Sequence, residues 1–123
     1  MISELFNDES GYLESNWTGA ITLQEVVSYI RRVKENFNYP RKLKILTSAV
    51  EAQVALSIDD LTVISDENKE SLKNYESVSD AFVVDQAIAA ALTIMYQKVS
   101  AVRNYNFKVF SSKEAARNWL DTI

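Results

Sequence analysis

A chain without a single His or Cys has few ways to run acid–base or nucleophilic chemistry. With no imidazole, proton transfer falls to carboxylates, Lys or Tyr, held where their pKa values can shift. The adjacent acids Asp59 with Asp60 and Asp66 with Glu67 are the candidates. Both pairs fall in a stretch patterned as a helix, where successive side chains diverge by about 100°. Neither pair therefore converges on one atom, and both read as a solvated helix face. Oxygen-only metal binding needs several converging acids, and no loop offers that spacing. The two glycines, Gly11 and Gly19, are too far apart to build a phosphate-cradling loop. The residues thus offer no catalytic group, no metal ligand and no cofactor-binding residue, and a non-enzymatic protein is expected.

Hydroxyls and aromatics supply what candidates there are. Ser48 and Ser57 are the candidate regulatory hydroxyls. Ser57 stands three residues before Asp60, as an N-cap does, and a phosphate there would meet the amides and dipole of a helix N-terminus. Tyr39, beside Pro40 and near Arg41, forms with Arg41 a candidate partner surface. The set Tyr29, Phe37, Tyr39, Tyr75, Tyr96, Tyr105 and Trp119 otherwise reads as core and core edge.

The elements that must position these residues belong to one domain, residues 1–123. Hydrophobic content of 47% with 24% charged residues is that of an ordinary globular chain, and this length is enough to bury one core. Absence of Cys fits a reducing cytoplasm, and the N-terminus lacks the basic and apolar regions of a signal peptide. The most apolar run, Ala87 to Tyr96, is too short to span a bilayer, so no membrane insertion is expected. A net charge of −4 argues against nucleic-acid binding. Arg31, Arg32, Lys34, Arg41, Lys42 and Lys44 crowd one stretch, and acids dominate Asp59 to Asp85. Two solvated faces account for both.

Ile2 to Phe6 and Tyr12 to Thr18 pattern as a hairpin around a turn-rich cluster, with Leu13, Ser15 and Trp17 on the inner face. Thr22 and Glu25 have capping-box spacing, and Ile21 with Val26 that of a hydrophobic staple, so a helix starts there. It carries Val26, Val27, Ile30, Val33 and Phe37 as its apolar stripe and ends before Pro40. Leu43 to Leu46 reads as a short strand, with Thr47 to Ala55 either a loop or its extension. A helix follows from Ser57, with Leu61, Ile64, Asn68, Leu72 and Tyr75 on one face. Val78 to Val84 reads as an interior strand, apolar on both faces over Ala81–Val84.

Asp85 then caps an Ala-rich helix from Gln86 to about Asn104, with Ile88, Ala91, Leu92, Met95, Val99 and Val102 inward. Tyr105 to Phe110 is the last strand. Ser111 and Glu114 have the spacing of a second capping box, opening a helix with Ala115, Ala116, Trp119 and Leu120 inward. The order β-β-α-β-α-β-α-β-α predicts an α/β fold, a mixed sheet of about five strands with four helices.

This layout resembles the SpoIIAA-like branch of the STAS fold (sulfate transporter and anti-sigma factor antagonist), also described as STAS/SEC14-like. Two pieces carry the resemblance: Gly19, Ala20, Ile21, Thr22 and Glu25 opening the first helix, and Phe107, Val109 and Phe110 followed by Glu114, Ala115, Trp119 and Leu120. It implies a cytoplasmic regulatory module acting through protein contact, with a protein partner or a second copy as a homodimer. Anti-sigma antagonists of this type carry a phosphorylated Ser near an Asp-Ser-Ser-Gly-type stretch. The corresponding region here, Leu46 to Ala49 through Ser57 to Asp60, has no Gly and no such motif, so phospho-switching does not carry over. The SEC14-like side of the resemblance implies an alternative, a carrier of a small apolar or lipid-like ligand between sheet and helices. Such a carrier calls for a pocket of at least about 300 Å³ with polar groups at its mouth.

Overall fold

Alternating side chains at the start of the chain zip into a hairpin. β1 (Ile2–Asn7) pairs antiparallel with β2 (Tyr12–Ile21), and Ile2 faces Trp17 across the ladder. Gly11 closes the turn at φ 77°, a left-handed conformation that side chains disfavour. The computed structural model describes residues 1–86, 91, 93, 94, 96–98 and 100–123.

From β2 the chain alternates through α1 (Leu23–Glu35), β3 (Lys42–Val54), α2 (Ile58–Leu72) and β4 (Ser77–Val83). Next comes α3, helical at the described positions 91, 93, 94 and 96–98, then β5 (Tyr105–Phe110) and α4 (Lys113–Asp121). The sheet order is β1-β2-β3-β4-β5, with β2 to β5 mutually parallel. This is the expected mixed α/β sheet of five strands with four helices. Sequential parallel strands joined by crossovers of one hand collect their helices on one face. Accordingly, residues of α1, α2 and α3 share one core with Leu13, Trp17, Ile45, Phe82 and Phe107 of the sheet. On the opposite face α4 lays Ala116 and Leu120 against Tyr12, Leu46, Ala81 and Val83.

The helix starts show how local chemistry sets the elements. Thr22 Oγ1 accepts from the Glu25 amide at 3.2 Å. The return bond of the expected box is missing, because the Glu25 carboxylate sits 3.4 Å from the Met1 ammonium. At α2 the reciprocal box is complete: Ser57 Oγ accepts from the Asp60 amide at 3.1 Å, and the Ser57 amide donates to Asp60 at 2.9 Å. At α4 the cap is Ser112, whose Oγ accepts from the Ala115 amide at 3.2 Å, and not Ser111 with Glu114. The one-residue shift turns Ala115 outward and buries Ala116. Ser112→Ala should therefore cost about 1 kcal/mol in urea denaturation, and Ser111→Ala less than about 0.5.

One open reading is resolved and two differences appear. Of loop or strand extension from Thr47 onward, the extension is found, and β3 runs to Val54. Its alternation is broken where the β2–β3 register shifts between Asn16 and Thr18, with one extra β3 residue before Glu51. In α3 the buried described positions are Thr93 and Tyr96, whereas Ala91 is exposed. The expected inner positions Ile88, Leu92, Met95 and Val99 lie outside the described residues. That helix also stops short of Asn104, since Ser100 is in a turn and Val102 bridges antiparallel to Tyr105. Finally, Phe37 falls beyond the end of α1 and is 73% exposed, so it does not extend the apolar stripe.

Candidate functional site

The sequence-expected site residues have structural duties. Ser48 is buried within β3, closed to a kinase in the folded chain. Ser57 is exposed, with its hydroxyl committed to the α2 cap. Tyr39 is half-buried and stacks on Phe6 with ring centroids 5.8 Å apart. Arg41 is half-buried too. Its guanidinium donates to the carbonyls of Asn36 (2.9 Å), Tyr39 (2.7 Å) and Asn74 (2.8 Å) and lies 4.3 Å from the Tyr75 ring centroid.

Tyr39 and Arg41 are thus partly exposed, and each is held by contacts within the chain. Arg41 ties the α1–β3 loop to the α2–β4 loop. Arg41→Ala should cost about 2–3 kcal/mol in urea denaturation, and Arg41→Lys should recover less than half of it, because one ammonium cannot reproduce the planar fork. Of the other basic residues in this stretch, Arg31 pairs with Glu67 at 2.8 Å, Arg32 with Glu4 at 2.7 Å and Lys42 with Glu76 at 3.7 Å.

What the structure brings together lies elsewhere, between the sheet and α1, α2 and α3. A cavity of about 80 Å³ opens there. Six aromatic side chains line it: Trp17 from β2, Tyr29 from α1, Phe82 from β4, Tyr96 from α3, and Tyr105 and Phe107 from β5. They form a continuous belt. Trp17 meets Tyr29 at 6.2 Å and Phe82 at 5.1 Å, Phe82 meets Phe107 at 5.5 Å, and Phe107 meets Tyr96 at 4.9 Å. Their alternation follows from the strand period of two, which points Asp80 and Phe82, or Tyr105 and Phe107, at the same face. Val54, Leu56 and Asn68 are its half-buried lining residues and mark the side nearest solvent.

Asp80 stands in this wall, in β4. Thr47 Oγ1, from the neighbouring strand β3, donates to Asp80 Oδ1 at 2.8 Å. No ion pair involves Asp80 among the described residues, and residues 87–90, 92, 95 and 99 carry no charge. Burial pushes its pKa from the usual 3.8 up to about 7, with the Thr47 hydrogen bond pulling the other way. The carboxyl is thus poised near neutrality, without a counter-ion.

Three tyrosines share the site. Burial raises the pKa of Tyr29, Tyr96 and Tyr105, Tyr96 to about 12, and the Asp80 charge pushes each in the same direction. All three are neutral hydrogen-bonding groups at physiological pH and none is an activated nucleophile. Asn68 donates to the Tyr96 hydroxyl. The Tyr29 hydroxyl is buried and has no hydrogen-bond partner among the described residues. The Ser15 hydroxyl, which accepts from Trp17 Nε1 at 2.9 Å, interacts with the Tyr29 hydroxyl and pulls its pKa down, short of a well-formed hydrogen bond. Buried polar groups are nearly always paired, so an unpaired hydroxyl at a cavity wall needs an explanation.

Sequence reasoning missed Asp80. The signal was present, since a charged residue interrupts a strand expected to be covered on both faces, and Asp is rarely buried unless paired. Among the described residues no group of three or more acids gathers to hold a metal, and no helix is long and apolar enough to cross a membrane. Comparison with family models, with curated proteins and with solved structures returns no match.

Proposed function

We propose that the protein is a non-enzymatic binding module that takes a small ligand into the cavity between its sheet and helices. One observation carries this reading: Asp80, a buried carboxyl without a counter-ion, stands in the wall of a cavity that six aromatic side chains line. A buried titratable group with a strongly shifted pKa in a concave site is the usual mark of a functional centre. The arrangement is suited to holding a ligand more than to transforming one. Asp80 can exchange a proton near pH 7, yet it has no activated nucleophile beside it.

The volume sets the ligand's size. Drug- and lipid-sized molecules need roughly 300–1,000 Å³, whereas this cavity holds about 80 Å³. That volume favours a ligand of a few heavy atoms over the lipid-like one of the carrier alternative. Regulation through a protein partner or a second copy, as in STAS/SpoIIAA-like modules, remains the proposed way in which the loaded state is read, in the cytoplasm.

Ligand-observed NMR on the low-molecular-mass fraction of native-cell extract tests the proposal. Resonances of a small molecule should broaden with wild-type protein. They should sharpen again with the Val26→Ile/Val78→Ile double variant, which adds two methylenes to the cavity wall. Identical spectra with the two proteins would overturn the reading.

A further inference from the structure

We propose that the ligand is a small alkylammonium ion, its N–H groups on the Asp80 carboxylate and its alkyl groups against the aromatic belt. This rests on the reading of the cavity as a ligand site and names the ligand's chemistry. Charge comes first. A buried carboxylate is costly unless it is paired, and neither the described residues nor the composition of the others offers a cation near Asp80. A cationic ligand supplies the missing partner.

The walls agree with the charge. Aromatic faces attract organic cations through their quadrupoles, and aromatic cages are the general means of holding alkylated ammonium groups. Trp17, Tyr29, Phe82, Tyr96, Tyr105 and Phe107 provide such walls on the Asp80 side of the sheet. The Tyr29 hydroxyl, which lacks a well-formed hydrogen bond among the described residues, offers a further lone pair to an N–H donor. A hydrated metal ion would find one carboxylate and mostly carbon, which suits it poorly.

The cavity's size sets the number of atoms it can hold. A cavity of about 150 Å³ accommodates benzene, and a water-sized group takes roughly 30 Å³. The 80 Å³ here fits an ammonium ion of three or four heavy atoms.

Isopropylammonium chloride and isopropanol are the probes: equal in shape and heavy-atom count, differing in charge. Binding to the intact chain is followed by NMR shifts of the Trp17 and Phe82 ring signals at pH 8. The ammonium ion should bind at least about tenfold more tightly than the alcohol, and Asp80→Asn should weaken it by about tenfold or more while changing the affinity for the alcohol far less. Lowering the pH from 8 to 5 should weaken ammonium binding by up to about tenfold per pH unit below 7, as Asp80 takes up a proton. The other titratable groups facing Asp80 are Tyr29 on α1, Tyr96 on α3 and Tyr105 on β5. All are shifted upward and stay neutral over this range, and the polar residues that α2 brings to the cavity, Asn68 and Ser71, carry no charge.

If the alcohol binds as well as the ammonium ion, or if Asp80→Asn does not discriminate between them, the cation inference is wrong and the ligand site stands. If neither probe shifts the ring signals, both are wrong.

Discussion

The stability of Asp80→Asn relative to wild type will rise as the pH is raised from 4 to 8. The sign follows from the direction of the shift. The folded-state pKa of Asp80 lies near 7, above the usual 3.8, so the folded chain holds its proton more tightly than the unfolded chain does. Below about pH 4 the carboxyl is protonated in both states and burial carries no ionic penalty. Between 3.8 and about 7 the penalty grows, because folding must take up a proton or bury a charge. Above 7 it is constant.

At about 1.4 kcal/mol per pH unit, the full span is on the order of 4 kcal/mol. The amide of Asn adds its own cost for N–H groups that face apolar walls, about 1–3 kcal/mol, but that cost does not vary with pH. Urea midpoints for the two proteins at pH 4, 6 and 8 separate the two contributions. A difference that does not change across this range would mean that Asp80 is solvated or paired in the folded chain. Against a total stability of about 5–15 kcal/mol for a domain of this kind, the effect is large.

Leu120→Ala should be the most damaging single truncation on the other face of the sheet. Leu120 is 0% exposed and packs with Ala116 against Leu46, Ala81 and Val83. α4 is the helix that covers that face, so collapse around a cavity is limited. The expected loss is about 3–5 kcal/mol. Trp119 is half-buried and leans on Phe110 with centroids 5.6 Å apart. Trp119→Ala should cost only about 1–2 kcal/mol, in proportion to the area it covers.

The ranking is the reverse of what the larger side chain suggests, and urea midpoints decide it. Tyr12 sharpens the comparison, because its hydroxyl donates to Asp121 and so fastens the end of α4 to β2. Equal losses for Leu120→Ala and Trp119→Ala would mean that α4 is docked differently from this description.

Much of this architecture is legible in the residues. Capping at Thr22 and at Ser57, the inward Leu13, Ser15 and Trp17, and the apolar run Ala81–Val84 each depend on neighbours within a few positions. Such local chemistry survives folding with little change. Where two local solutions compete, the sequence does not decide. Ser111 and Ser112 can each cap a helix, and burial of Ala116 selects the second. The bulge opposite Trp17 shifts the β3 alternation by one position, so its second half loses the period that marks a strand.

The site is less legible for a different reason. Its belt is drawn from β2, α1, β4, α3 and β5, and only the packing of the sheet against three helices brings those rings together. Tyr29, Tyr96 and Tyr105 read individually as core aromatics, which they are. Their shared cavity has no counterpart in spacing along the chain. Asp80 alone left a trace, as a charge inside an interior strand.

The most direct measurement is a pH titration of the Asp80 side-chain carboxyl by 13C NMR in the ligand-free protein. An inflection near pH 7 is expected for a resonance that Asp80→Asn removes. In the presence of isopropylammonium the inflection should move to lower pH, because the bound cation favours the charged carboxylate. An inflection near the ordinary 3.8 that the ammonium ion leaves in place would contradict this reading of Asp80.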